Sequence, residues 1–435
     1  MHDVMQPASM KRHKILLILI ALTTAFSAGD IHAEVQYDKI FPLYVESCSL
    51  TRIRRSANSA GAPWGHSGVY VKGMCRDKSV PYPRVRVCAD EVDLTDFNSG
   101  TFISVEPAFK NTNWVAIEGG NFAFHGDLNS GEGINAEVLK RTSKAAVDSG
   151  AFQGIKFHKQ LWRKLYQSWW PEPLKSETLE ENMARATLGT HYAIDFGRTS
   201  YCNLIPINRS QLENIVTYLN DFNEPFINRD KKYQWDPARN NCVHIARNVL
   251  AAANVISYKP VGRHYPLAIF DLLIPGQHFV SLAQLSMDQS KLSVTDLFKN
   301  KVKRQSLEKN GMPSISHGAI IRIHPMRTIN NESFISSLDM ALGVFTKKRD
   351  ILGAVLSRNV MNNLRPNLKL FETVYSKLKV DLKPLSQLAS EKKRYAKPRF
   401  KAFYEKYVEW LDGAITEVYA KMEHLDRLEE SYLID

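Results

Sequence analysis

The residue whose type and position best suit covalent chemistry is Cys242. It stands at the start of a stretch with helical periodicity, because apolar residues recur at Ala246, Val249, Leu250 and Ala253. A thiol at a helix start meets unpaired backbone N–H groups and the positive end of the helix dipole, and both favour the thiolate. The pattern therefore predicts a nucleophilic cysteine. The alternative is a small buried hydrophobic residue, a common role for a free cysteine.

A cysteine nucleophile needs a base, and histidine is the usual one. His66 directly follows a glycine in a strand-like run, where alternation puts His66 and Tyr70 on one face. His191, in the strand-like run HYAIDFG, is the alternative base. His244 lies two residues after Cys242, so its side chain points about 200° away around the helix and is unsuited to the task.

The N-terminus has the features of a cleaved export signal. Three basic residues precede an apolar run, Ile15–Phe26, and small residues follow, with cleavage expected after Ser27 or Ala33. We assign residues 1–33 to a signal peptide. The apolar run is too short to span a bilayer comfortably, so we expect no transmembrane helix in the mature chain. The sequence thus predicts a periplasmic or secreted protein.

Export makes disulfides possible for the five cysteines. Cys75 and Cys88 flank a short connection between two strand-like runs, and we expect them to pair. Cys48 and Cys202 are then the second pair, although sequence alone does not fix the connectivity. Cys242 remains the odd cysteine, which in a secreted protein is either reactive or buried.

The chain carries a formal net charge of +12, which favours anionic partners such as lipid headgroups or cell-wall polymers. No zinc-finger spacing, helix-turn-helix pattern or aromatic-studded RNA-binding motif accompanies this charge, so we do not expect a nucleic-acid partner. We predict neither a cofactor nor a metal ion.

The remaining pattern indicates an α+β protein with two regions after the signal peptide. Residues 34–296 show strands first and helices after, and residues 297–435 are mainly helical. The residues Ser210-Gln211-Leu212-Glu213 form a capping-box pattern that opens a helix, and a long amphipathic helix follows Pro398. The other expected elements are strands at Trp64–Val71, Arg84–Val87, Thr101–Val105, Trp114–Glu118, His191–Phe196 and Ala319–Ile323, and helices at Ala151–Ser168 and Lys175–Arg185.

A histidine strand that precedes an Asn-Cys helix start resembles the circularly permuted papain-like proteins of the NlpC/LRAT type. Within them the chain is most similar to the Lnb N-terminal periplasmic domain family, which is named for lipoprotein intramolecular transacylases. The resemblance covers roughly residues 60–256. The matching pieces are Gly65-His66-Ser67-Gly68-Val69-Tyr70-Val71, Tyr192-Ala193-Ile194-Asp195-Phe196-Gly197, Ser210-Gln211-Leu212, Tyr233-Gln234-Trp235 and Asn241-Cys242.

The resemblance implies an antiparallel sheet packed on the Cys242 helix, with Cys242 as nucleophile and His66 as general base. Asn241 or a nearby backbone N–H would contribute to an oxyanion hole. The residue that orients the imidazole stays open among Glu106, Glu118 and Asp195.

Two functions from different classes fit these residues. The first is a cysteine hydrolase or acyltransferase that acts on an amide or ester of the cell envelope, in lipoprotein, lipid or peptidoglycan, through an acyl-cysteine intermediate. The alternative is a catalytically silent protein of the same fold that binds an envelope component or a partner protein. An exported effector that acts on a host is a third possibility.

Overall fold

The computed structural model describes most of the chain between residues 36 and 434 as a mixed α+β protein with a helical C-terminal region. The described residues are 36–50, 52–53, 65–129, 132–133, 135–160, 178, 181, 199–236, 238–263, 272, 274–288, 291–324, 332–333 and 353–434. The predicted signal peptide, the strand His191–Phe196 and nearly all of the predicted helix Lys175–Arg185 lie outside these residues.

A six-stranded antiparallel sheet forms the centre of the fold, with strand order β7-β6-β3-β1-β8-β9. Two small two-stranded sheets pair β4 with β5 and β2 with β10. The strands are β1 Tyr44–Leu50, β2 Arg52–Ile53, β3 His66–Lys72, β4 Met74–Arg76, β5 Val85–Val87, β6 Gly100–Ser104, β7 Val115–Glu118, β8 Ser200–Pro206, β9 Ile320–His324 and β10 Glu332–Ser333.

Helices precede, follow and cover this sheet. Those with described bounds are α1 Gly120–His125, α2 Ala136–Asp148, α3 Arg209–Ile227, α4 Cys242–Ala252, α5 Pro275–Met287, α6 Val294–Lys299, α7 Lys301–Asn310, α8 Asn359–Asn362, α9 Leu364–Val380, α10 Leu385–Glu391 and α11 Pro398–Ile434, with a 3₁₀ turn at Lys393–Ala396. Helix α4 begins at Cys242 and α11 begins at Pro398, as the sequence predicts.

Two helix predictions need correction. The capping box of α3 is formed by Asn208 and Gln211, so the helix begins before the predicted cap at Ser210. The predicted helix at Ala151–Ser168 is wrong over residues 151–158, which form turns and an isolated bridge, whereas residues 159 and 160 are helical. Gly150 and Gly154 adopt positive φ angles of 75° and 74°, a backbone conformation that suits turns and interrupts a helix.

Alternation along the strands gives the sheet two different faces. The face that carries Ser47 and Asn203 is covered by α5, and we call it the second face. Ser47 Oγ lies 3.5 Å from His278 Nε2, and the Asn203 amide donates to the Phe279 carbonyl at 3.1 Å. The other face, the first face, carries the residues that alternate with these along the strands, among them His66.

The first face also contains a cluster of buried charges. Lys72 Nζ lies 2.8 Å from Asp38, while the Arg322 guanidinium contacts Asp38 at 3.5 Å and Glu46 at 3.3 Å. His324 Nε2 lies 2.7 Å from Glu46. Burial raises the pKa of Glu46 to about 7, and Arg322 and Lys72 oppose that rise. Because β9 supplies Arg322 and His324, the sheet includes a strand from beyond the predicted region boundary at residue 297.

Two disulfides are present, and both match the predicted pairs. Cys75 and Cys88 join the β4–β5 hairpin with a Cα–Cα distance of 5.8 Å. Cys48 and Cys202 face each other across β1 and β8, 4.0 Å apart at Cα. Cys242 is unpaired, as expected. Disulfides are typical of proteins that mature in an oxidising compartment.

The C-terminal helices pack on one another through aromatic residues. Tyr375 of α9 meets Trp410 of α11 with ring centroids 5.4 Å apart, and Tyr407 also contacts Trp410 at 5.4 Å. The apolar stripe of the long amphipathic helix predicted after Pro398 is buried, so this helix is packed against the rest of the protein. Among the helices of the described residues, none combines the length and the apolar character needed to cross a bilayer.

Candidate active site

Cys242 occupies the first turn of α4 because Asn241 caps this helix. The Asn241 side-chain oxygen accepts the His244 backbone N–H at 3.1 Å, and its amide group donates to the Leu272 carbonyl at 2.7 Å. These bonds fix the helix start against the segment before α5. Asn241 thus positions Cys242, and both ends of its side-chain amide already serve that purpose.

The Cys242 sulfur lies against strand β3 at Ser67, the residue that follows His66 in the chain. The backbone N–H groups of Ser67 and Val243, and that of Cys242 itself, face the sulfur and lower its pKa. Burial has the larger and opposite effect, and it raises the pKa of the thiol to about 11 although the side chain is partly exposed. The sequence predicts the donors at the start of α4, but it indicates neither the Ser67 N–H nor the desolvation that outweighs all three donors.

His66 is buried at the start of β3, on the first face of the sheet. The chain enters this strand through Gly65, whose φ of 70° places it in the left-handed region that glycine favours. The imidazole shares a hydrogen bond with Ser104 of β6, with Nε2 and Oγ 2.6 Å apart. A contact of 3 to 4 Å between the imidazole and the Cys242 sulfur stays a prediction.

Ser104 is the residue that sequence reasoning missed. It shares the first face with His66 because β3 and β6 are antiparallel with Val69 opposite Ile103. Between them, Gly68 leaves room for the Phe102 ring, since an added Cβ would lie 2.2 Å from that ring. Only the strand pairing reveals the relation between His66 and Ser104, and a single sequence does not contain it.

The three residues considered for orienting the imidazole have different positions. Glu118 lies at the far end of β7, where it accepts the Arg76 backbone N–H at 3.0 Å and pairs with Lys78 at 2.8 Å. Glu106 is fully buried two residues beyond Ser104. Asp195, like the alternative base His191, lies outside the described residues.

Tyr233 adds a polar group beside the thiol. Its side chain is 2% exposed, and its hydroxyl makes no hydrogen bond within the described residues. Burial raises its pKa, and so does the negative charge that Cys242 would carry as a thiolate. The Tyr233 hydroxyl is therefore a protonated donor close to Cys242.

Two other buried histidines are neutral and serve as structural residues. Burial lowers the pKa of His244 to about 4, and its Nδ1 lies 3.0 Å from the Asn241 side-chain oxygen. Burial likewise lowers the pKa of His278 to about 3. Among the described residues, Glu46, Cys48 and Cys202 have the spacing of metal ligands. The two sulfurs are joined in a disulfide, so they are not available as thiolate ligands.

A cavity of about 810 Å³ lies at the opposite end of β1 from His66. It is lined by Phe41, Asn310 and Trp410, and by charged side chains that include Glu417 and Lys421. Asn310 is 8% exposed, and its side-chain oxygen makes no hydrogen bond within the described residues. The volume falls in the range of small-molecule sites.

Comparison with known proteins adds no neighbour from which a function could be inferred. The chain matches no family model, no curated protein and no solved structure at a significant level.

Proposed function

We propose that the protein is an exported cysteine-dependent hydrolase or acyltransferase that acts on an amide or ester of the cell envelope. The observation that carries this proposal is the environment of Cys242. It is the unpaired thiol of a chain whose other four cysteines form disulfides, and backbone N–H groups of two separate elements face its sulfur. Converging N–H groups of this kind stabilise developing negative charge in acyl transfer.

In the proposed reaction the Cys242 sulfur attacks the carbonyl carbon while His66 takes the thiol proton. The new S–C bond gives a tetrahedral oxyanion, and the N–H groups at the start of α4 and the Tyr233 hydroxyl are the candidate donors to it. The C–N or C–O bond then breaks, and the imidazolium returns the proton to the leaving group. Water releases the acyl group in a hydrolase, and a second nucleophile releases it in a transferase.

The raised pKa of Cys242 determines the order of the proton steps. A thiol with a pKa of about 11 is protonated at neutral pH, so the resting enzyme would hold a neutral thiol. The proton would leave as the substrate is attacked, as in a serine hydrolase. Ser104 is then a positioning residue, because its hydrogen bond to Nε2 fixes the orientation of the His66 ring.

We further infer a permuted papain-like arrangement, in which a histidine strand precedes the cysteine helix along the chain. The sequence order and the contact between the Cys242 sulfur and the β3 backbone support it. The two disulfides support a periplasmic or secreted location. The charge of +12 supports an anionic envelope substrate, either lipid or peptidoglycan.

The test is to trap the acyl-enzyme and map it. The protein is incubated with an activated acyl ester, and intact mass and peptide mapping locate the adduct. We expect one acyl group on Cys242 and none in Cys242→Ala. Turnover that persists in Cys242→Ala would overturn the proposal.

The chain offers a matched control for the base. His66 and His278 are both buried histidines that contact a strand serine, Ser104 and Ser47 respectively. His66→Gln should reduce acylation by about 100-fold or more, in line with the loss of a general base. His278→Gln should leave the rate within about threefold. Equal effects of the two variants would remove His66 from the mechanism.

A catalytically silent binding protein is the second candidate, and two observations favour it. The thiol pKa of about 11 suits a buried structural cysteine, and the 810 Å³ cavity with the unbonded Asn310 oxygen offers a separate place for a ligand. Under this alternative Cys242→Ala would bind envelope fragments as the wild type does, and no acyl adduct would form on the wild type.

A further inference from the structure

A basic segment runs from the end of α10 into the first turn of α11 and is exposed over most of its length. Residues 391–401 contain six basic residues and one acidic residue. Lys392, Lys393, Lys397 and Lys401 are exposed, and within the described part of the chain none of them makes an ion pair. We call these four residues the lysine patch.

Buried aromatic side chains hold the lysine patch in a fixed conformation. Tyr395 and Phe400 are 3% and 0% exposed, and their ring centroids are 4.5 Å apart. Phe298, at the end of α6, packs edge-on against Phe400 at 4.9 Å. The Arg394 guanidinium lies 4.9 Å from the Tyr395 ring. The segment therefore turns its aromatic residues inward and its lysines to the solvent, so the patch is part of the folded surface.

The same aromatic contacts bring a second basic element to this surface. Arg304 of α7 lies 5.2 Å from the Phe298 ring and donates to the Phe298 carbonyl at 2.6 Å. Two of the nearby carboxylates already have other partners. Glu391 pairs with Lys383 at 2.7 Å, and Glu308 contacts Arg399 at 3.4 Å. A further carboxylate, that of Glu405, lies one helical turn after Lys401, and the four lysines outnumber it.

We propose that the lysine patch docks the protein on an anionic phospholipid bilayer. Four exposed lysines within ten residues of the chain suit a layer of phosphate headgroups, which attracts basic residues near its surface. The lining of the 810 Å³ cavity includes Lys406 but none of the four lysines of the patch, so the lysine patch lies outside that cavity. Lysine presents a mobile point charge, which suits a fluid surface. The proposal is independent of the chemistry at Cys242.

The experiment measures cosedimentation of the full-length purified protein with vesicles. One set contains phosphatidylglycerol mixed with phosphatidylcholine, and the other contains phosphatidylcholine alone. The test variant changes Lys392, Lys393, Lys397 and Lys401 to Gln. The control variant changes four exposed lysines of the sheet region, Lys110, Lys156, Lys159 and Lys231, to Gln, so both variants lose the same charge.

We expect binding to the phosphatidylglycerol vesicles that weakens as salt rises, because screening shortens the reach of surface charges. Each lysine near such a surface contributes roughly fivefold to partitioning, so the patch variant should lose at least about 100-fold. The control variant should lose less than about tenfold. Equal losses in both variants would show that net charge alone acts, and would overturn the proposal.

Two further outcomes would also contradict a lipid surface as the partner. One is wild-type protein that binds phosphatidylcholine vesicles as well as those with phosphatidylglycerol. The other is protein that binds isolated peptidoglycan sacculi through the lysine patch but does not sediment with the anionic vesicles. Thermal unfolding of both variants checks that the folded state is retained, since all eight lysines are exposed.

Discussion

Alkylation of Cys242 in the ligand-free protein should be slow at neutral pH and should accelerate steadily as pH rises. Burial raises the thiol pKa to about 11 from 9.0. At about pH 7 the ionised fraction is then about 100-fold smaller than for an unperturbed thiol of pKa 9.0. A thiolate of higher pKa is more nucleophilic, by roughly six- to tenfold over two pKa units, so the net deficit is about tenfold.

The assay follows iodoacetamide labelling by intact mass without reductant, so that Cys242 is the thiol available to react. The same protein in denaturant supplies the reference rate of an exposed thiol. Between about pH 6 and 10 the logarithm of the native rate should rise by one unit for each pH unit, without a plateau. A plateau or an inflection below about pH 9 would refute the argument that burial outweighs the N–H groups. It would instead indicate a resting thiolate beside a cationic partner.

Three stability predictions follow from the sheet and its supports. Glu46→Gln should remove a pH dependence of stability, because the pKa of Glu46 in the folded protein, about 7, lies above the usual 4.5. As pH rises from about 4.5 to 8, the unfolding free energy of the wild type should fall by up to about 3 kcal/mol relative to the variant. Urea unfolding at a series of pH values measures this, and the same pH dependence in both proteins would contradict it. Asn208→Ala should lower the unfolding free energy by about 1 kcal/mol in the same assay, because Asn208 caps α3, whereas Ser210→Ala should lower it by less than about half of that. The reverse order would restore Ser210 as the cap. Joint replacement of Cys48 and Cys202 by Ala should lower the unfolding free energy by about 4 to 5 kcal/mol, because this disulfide closes a loop between residues that are 154 positions apart. A loss below about 1 kcal/mol would contradict the loop-entropy argument.

Features that depend on local periodicity could be predicted from the sequence. The alternation of His66, Tyr70 and their neighbours is the alternation observed on β3. The helix start at Cys242 was predictable because the apolar stripe and the preceding Asn241 cap lie within a few residues of one another. The Cys75–Cys88 pair was predictable because these cysteines flank one short connection, and once Cys242 was set apart by its helix, Cys48 and Cys202 remained as the second pair.

Features that depend on distant pairing could not be predicted. The hydrogen bond between His66 and Ser104 exists only because β3 and β6 adopt one register, and many registers fit the same residues. The thiol pKa was misjudged because desolvation depends on what packs over Cys242, which local sequence does not specify. The helix expected from Ala151 is absent over residues 151–158, where Gly150 and Gly154 adopt positive φ angles that favour turns.

The origin of β9 in the later part of the chain constrains the order in which the protein can assemble. Asp38 and Glu46 are made long before Arg322, yet all three meet in the same buried cluster. A chain emerging vectorially from a ribosome or a translocation channel would therefore hold two carboxylates without their guanidinium partner until residue 322 had emerged. Closing the first face earlier would bury Glu46 without its guanidinium partner and leave Asp38 with Lys72 alone, which is unfavourable. The sheet is thus completed late, and a nascent chain cut short before β9 should remain a substrate for holding chaperones.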